Sequence, residues 1–181
     1  MDETDLQILS LLQENARTPV AEIARSVGLG ASAIHQRIRK LEETGVIQGY
    51  EARLDPHALG RSLVSFVRVQ TGEGARADEI TAGLVALPEV QEVHRVVGED
   101  CFFVKVRVRD TRHLADLLDH RIGPIPNVAS TKTTIVLTTA KETRAIPLGG
   151  GSDCAGPAGP LPASRSGGES GTPRHNTETT P

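Results

Sequence analysis

Residues 18–45, TPVAEIARSVGLGASAIHQRIRKLEETG, decide the first half of the fold. Thr18 and Pro19 read as a helix start, with the threonine as N-cap and the proline in the first helical position. Val20, Ile23, Ala24 and Val27 recur at helical spacing and form one buried side. Gly28-Leu29-Gly30 is a tight turn. A longer helix follows over about Ser32–Thr44, with Ile34, Ile38 and Leu41 inward, and Gly45 sits where a left-handed residue closes a helix. A short helix, a glycine turn and a longer helix make the helix-turn-helix layout, whose second helix enters the DNA major groove. The outward positions of that second helix are Ser32, Ala33, His35, Gln36, Arg37, Arg39 and Lys40. Arg and Lys pair with guanine edges and phosphates, Gln with adenine, and Ser with either. The residues from Ser32 to Arg37 would enter the groove first, and Arg39 and Lys40 are better placed for phosphates. Taken alone, the run RIRK is an ordinary solvated helix face. Its place on the second helix is what points to DNA.

Working outward, a first helix starts at Asp2, with Glu3 and Asp5 where acids suit the helix dipole. Leu6, Leu9 and Leu12 form one face, flanked by Ile8 and Leu11, and the helix ends near 15–17. After the long helix, Val46–Leu54 reads as a strand or wing. The helix-turn-helix domain is thus 1–54, and 55–61 is a linker. Residues 62–146 change character to alternating, β-branched stretches. Leu63–Gln70, Val90–Val97, Phe102–Arg109 and Val128–Thr138 read as strands, and Asp78–Leu87 and Thr111–Arg121 as helices. The order βαββαβ predicts a ferredoxin-like sandwich, so the fold class is α+β. Its helices cover one sheet face, and the other face needs a partner, most simply a second copy. Residues 147–181 are rich in Gly, Pro, Ser and Thr and read as a disordered tail.

The formal net charge is −3, from 20 basic and 23 acidic residues. Residues 1–60 hold six Lys/Arg against nine Asp/Glu. Affinity for DNA must therefore come from one local basic face and from doubling in a dimer rather than from global charge. Tyr50, Phe66, Phe102 and Phe103 are the only aromatics, which speaks against base stacking on single strands. Cys101 and Cys154 have no metal-ligand spacing, and the six histidines do not cluster, so no metal or cofactor is expected. The acidic, amphipathic N-terminus is unlike a signal peptide, and no apolar run reaches membrane-spanning length. The expected location is the cytoplasm, at the nucleoid, with no membrane partner.

The stretches 6–60 and, above all, SAIHQRIRKLEETGVIQGY (32–50) resemble the Lrp/AsnC, or feast/famine, regulators. VHRVVGEDCFFVKVRVRD (93–110) and NVASTKTTIVLTTAKE (127–142) resemble that family's regulatory domain. The resemblance implies a winged helix-turn-helix, dimers that assemble into octamers or similar rings, and a small-molecule effector, usually an amino acid or related metabolite. It also implies an effector cleft built from the glycine loop and the last strand. Here these are Val97, Gly98, Glu99, Asp100 and Cys101, with Ser130, Thr131, Thr133 and Thr134. Two positions depart from the family pattern. Gly30 stands where a capping Ser is usual, so Ser32 would have to supply the hydroxyl. Cys101 stands where the loop usually has its second Asp, leaving Glu99 or Asp100 to hold an α-ammonium group.

Two other functions fit parts of the chain. Sirohaem decarboxylases look similar and would need His94 and Arg95 beside a tetrapyrrole. A nucleoid-organising protein would bind DNA with little sequence choice. No nucleophile–base set, phosphate loop or dinucleotide fingerprint marks an enzyme.

Overall fold

The computed structural model describes residues 1–72, 74–98 and 101–148. The expected tail from 149 onward, Cys154, Glu99 and Asp100 lie outside the described residues. Three helices come first: α1 (Glu3–Glu14), α2 (Val20–Val27) and α3 (Ala31–Glu43). A capping box starts α1. The Asp2 side chain accepts from the Asp5 N–H, and the Asp5 side chain accepts from the Asp2 N–H, both at 2.9 Å. Ile8, fully buried, is the centre of this helix's inner face, while Leu6 and Leu12 are half-buried. Ile8 packs with Ile23, Ala24, Ile34 and Ile38 in one core.

Two expected caps are corrected. Pro19 itself occupies the cap position of α2, and the Thr18 hydroxyl donates to the Asn15 carbonyl instead. Gly30 caps α3 with no side-chain bond, and Ser32 lies inside the first turn, where its hydroxyl caps nothing. Both turns hold through backbone geometry: Gly28 at φ 77° and Gly45 at φ 72° adopt the left-handed conformation that a side chain resists. The strand expected over Val46–Leu54 is absent. That segment finds no partner strand; the Ile47 N–H instead bonds back to the Leu41 carbonyl at 3.0 Å, against the end of α3. Extended apolar composition without a ladder partner does not make a strand.

The second half follows the expected order: β1 (Leu63–Thr71), α4 (Ala77–Val85), β2 (Val90–Arg95), β3 (Phe102–Val108), α5 (Thr111–Leu117) and β4 (Val128–Ile135). A π-helical turn, Leu118–Ile122, extends α5. The strands form one antiparallel sheet in the order β2-β3-β1-β4, the ferredoxin-like arrangement. β2 and β4 are each shorter at their C-terminal ends than the apolar runs suggested. Alternation along β3 is strict: Phe102, Val104, Val106 and Val108 are buried, and the residues between are half-buried. The buried set meets Val67 and Val69 of β1 and Ile80, Leu84, Leu114, Leu117 and Ile122 from the helical layer. The opposite, open face carries Phe66 stacked on Phe103, with ring centroids 5.2 Å apart, among Arg68, Lys105, Arg107 and Lys132.

One buried position on the helical side is polar. Ser65 is fully buried and its hydroxyl has no hydrogen-bond partner. An unpaired hydroxyl loses its hydration and gains nothing in return. Ser65→Ala is therefore expected to leave stability unchanged or raise it by up to about 1 kcal/mol. A urea titration checks this; a clear loss of stability would show that the hydroxyl is bonded in solution.

Glu89, just before β2, meets the His113 ring at 3.2 Å and Arg121 at 3.9 Å, with its side chain only 11% exposed. Burial alone would raise its carboxyl. A backbone N–H, the His113 ring and the Arg121 charge outweigh burial and hold it below the ordinary range. A depressed carboxyl stabilises the fold above its unfolded pKa and loses that contribution as pH falls through its folded pKa. Glu89→Gln should thus cost on the order of 1 kcal/mol at neutral pH, and the cost should shrink as the pH falls below the ordinary carboxylate range. Denaturation of both proteins across that range reads the difference.

Candidate nucleic-acid interface and ligand cleft

The inward residues of α3 fix which residues face out. With Ile34, Ile38 and Leu41 buried, Ser32, His35, Gln36, Arg39 and Lys40 stand exposed, and Ala33 and Arg37 lie at the margin. Among the described residues, Ser32, His35, Gln36 and Lys40 have no ion pair or side-chain hydrogen bond that would occupy them. Arg39 bonds Glu43 at 2.8 Å, one turn on, but both side chains are mostly exposed. Such a pair is weak and yields readily to a phosphate.

Arg37 is placed differently. Its Nη1 donates to both carboxylate oxygens of Asp2, at 3.0 and 2.8 Å, and to Asp5 at 2.7 Å. The guanidinium lowers the Asp2 carboxyl, with the Asp5 backbone N–H adding to the effect, and the two acids raise Arg37 further. The same acids that cap α1 thus clamp α3 against it. Arg37 is a strut between helices before it is a reader of bases. Beside α3 there is also an open hollow of about 440 Å³, lined by Leu12, Val20, His35, Ile38 and Tyr50 among others. Tyr50 donates to Glu42 at 2.9 Å, and burial, with that carboxylate, pushes its phenol up.

The sheet brings together only part of the expected ligand cleft. Val97 is fully exposed and Gly98 sits at φ 140° at the tip after β2. Cys101 starts the return. Its N–H donates to the Val69 carbonyl at 3.1 Å, and its sulfur lies 3.0 Å from the Thr71 hydroxyl. A hollow of about 130 Å³ opens there, lined by Thr71, Ala75, Ala77, Arg95, Val96, Cys101 and Phe102. Thr71, Ala75 and Ala77 were not marked from the sequence, and Arg95 was marked only for the tetrapyrrole alternative, because the lining is assembled from separate elements. On β4, Thr131 opposes Val69 and Thr133 opposes Val67, on the helical side of the sheet. Ser130 and Thr134 face the open side, and the Ser130 hydroxyl is taken by Gln70 at 2.7 Å. Thr131 is therefore at the same end of β1 as Cys101, while Thr133 and Thr134 lie farther along the strand.

His94 and Arg95, the pair a tetrapyrrole enzyme would need, are neighbours on β2 and point to opposite sheet faces. Glu92 holds the His94 ring at 3.2 Å. Among the described residues no cluster of His, Cys, Asp or Glu could hold a metal ion, and no helix is long and apolar enough to cross a membrane.

Residues 1–42 match the family model of the AsnC-type helix-turn-helix domain, and residues 64–146 match that of the Lrp/AsnC ligand binding domain. The HTH-type transcriptional regulator FL11 of Pyrococcus horikoshii is 41% identical over 148 residues, covering 82% of this chain and 97% of its own. Among solved structures, a transcriptional regulator of Neisseria meningitidis in complex with L-Met superposes with a TM-score of 0.78 at 28% identity, covering 82% of this chain and 97% of its own. A feast or famine regulatory protein from M. tuberculosis, complexed with L-methionine, superposes with a TM-score of 0.75 at 36% identity, covering 80% and 97%.

Proposed function

The chain belongs to the Lrp/AsnC family of transcriptional regulators, and from that premise we propose that it binds specific DNA through α3 and responds to a small amino acid or a related acid. The observation that carries this is the exposed face of α3, where Ser32, His35, Gln36 and Lys40 are unoccupied beside a weakly paired Arg39. Ser32, Ala33, His35 and Gln36 meet base edges, and Arg39 and Lys40 meet phosphates. Arg37 positions the helix.

The amino-acid effector is inferred from the two L-methionine complexes among the structural neighbours. The site we assign it on this chain is the hollow lined by Thr71, Arg95 and Cys101, at the end of the sheet that also carries Val97, Gly98 and Thr131. Arg95 suits a carboxylate, and Glu99 or Asp100 an ammonium group. Ser130, Thr133 and Thr134 are more distant members of that set. A second copy covers the open sheet face, larger rings build from such dimers, and the assembly works at the nucleoid in the cytoplasm. The protein is a regulator and not an enzyme; His94 and Arg95 share no face on which a tetrapyrrole would rest.

A gel shift of the full chain on its own promoter region, against random DNA and with L-methionine titrated in, tests the reading. A salt-dependent preference for the promoter that moves with the amino acid is expected. Equal affinity for all DNA would favour a nucleoid-organising role, and a haem-like absorbance of the purified protein would favour the enzyme.

A further inference from the structure

The buried cores of the two halves share no residue among those described. Among the described residues, the side-chain bonds between them, apart from the linker, come from the chain after β4. Val136 still donates to Val64 at 3.0 Å, and the backbone then leaves the sheet. The Glu142 carboxylate bridges Lys105 and Arg107 on the open face, with the Arg107 contact at 3.1 Å. Those two cations are only 12% and 15% exposed. Four residues later, the Ile146 main chain and the Gln13 side-chain amide of α1 exchange two hydrogen bonds, at 2.7 and 3.1 Å. Between them Arg144 meets Glu51 at 2.7 Å, an exposed pair that adds little. Arg107 also donates to the linker carbonyl of Arg61 at 3.5 Å.

We propose that residues 142–146 are a strap coupling the sheet to the helix-turn-helix, with Glu142 and Gln13 as its two anchors. Four residues span at most about 14 Å, so the strap has little slack and neither anchor moves far without straining the other. The Glu142 anchor is stronger than a surface pair. Two shielded cations share one carboxylate, and Lys105 stays raised, despite burial, through Glu142 and Glu92. The Gln13 anchor is specific, because an amide that both donates and accepts fits one backbone position. Lys105 and Arg107 lie on the face assigned above to a second copy, so whatever covers that face acts on the Glu142 anchor and reaches α1 through it. The coupling rests on these contacts alone; only its bearing on DNA rests on the regulator reading.

A double-mutant cycle in the full chain tests it, with Glu142→Gln, Gln13→Ala and both together, read by hydrogen exchange. Glu142 makes no contact with α1 in its own right. Even so, Glu142→Gln should speed exchange of the α1 amides about three- to tenfold while β1 and β3 stay protected. Gln13→Ala should do the same to α1, and the double variant should add little to either. Unchanged α1 exchange in Glu142→Gln, or strictly additive effects, overturns the strap. The reverse arm does not depend on the sheet tolerating loss of the carboxylate. Lys105, first, holds the Glu142 carboxyl below the ordinary range. Releasing Gln13 should let its titration move up, as followed by NMR, because coupling between two sites is reciprocal. A titration that stays put in Gln13→Ala overturns the proposal. No DNA enters the cycle, so its failure would leave the regulator reading standing, and a failed gel shift would leave the strap standing.

Discussion

Replacing Arg39 and Lys40 together by alanine is expected to weaken binding of the full chain to its promoter about a hundredfold or more near physiological salt. Both side chains are exposed on the outer face of α3, and neither contributes to the core. The proposed dimer would lose four cations, two from each copy. Each phosphate contact contributes about 0.9 to the slope of log affinity against log salt, so that slope should flatten by roughly three to four. The acidic surroundings make the loss heavier: residues 1–60 hold more acids than bases, so no general positive field compensates. Arg37→Ala is the control. Its guanidinium is engaged by Asp2 and Asp5, so its loss should act through the placement of α3 and leave the salt slope nearly unchanged. Fluorescence anisotropy at several salt concentrations separates the two. A slope unaltered in the double variant would remove these residues from the interface.

Phe102→Ala is expected to have the largest effect on stability, about 3–5 kcal/mol. Phe102 is the bulkiest of the fully buried side chains, at the end of β3 between Val69 and Arg95. Removing the ring forfeits its burial and leaves a void the surrounding strands cannot close. A domain of this size has only about 5–15 kcal/mol in total, so the sheet should unfold at a much lower urea concentration. Phe102 also lines the small hollow beside Cys101, so ligand binding at the proposed effector site should fall with it. Its neighbour Phe103 makes the contrast. It is half-buried and stacked on Phe66 on the open face, so in a monomer Phe103→Ala should cost much less. Urea unfolding of both variants, extended over a range of protein concentrations, also reports whether a second copy shelters Phe103.

What could be read in the chain was periodic and local. The alternation from Phe102 to Val108 showed which side of β3 is buried, and the spacing of Ile34, Ile38 and Leu41 showed which side of α3 is free. Side-chain contacts made over long separations were hidden. Nothing near Arg37 in sequence reveals that it reaches Asp2 and Asp5, since capping acids and outward arginines each have a sufficient local reason to exist. The segment from Val46 to Leu54 misled for a related reason. Its composition suits a strand, but a strand also needs a ladder partner, which composition does not reveal. The lining of the hollow was out of reach because Thr71, Ala75, Arg95 and Cys101 meet only once the order β2-β3-β1-β4 is known. Glu142, inside a polar stretch after the last strand, carried no signal of its own.

The clamp of Asp2 and Asp5 on Arg37 has a practical side. The Asp2 backbone N–H and carboxylate, Asp5 and the guanidinium of Arg37 are joined in one small network. Foreign bulk or charge introduced next to Asp2 would sit beside that network, one helix away from the α3 face proposed to meet DNA. A purification handle placed beside Asp2 is therefore expected to perturb α3, and binding curves measured with it in place are expected to differ from those measured without it.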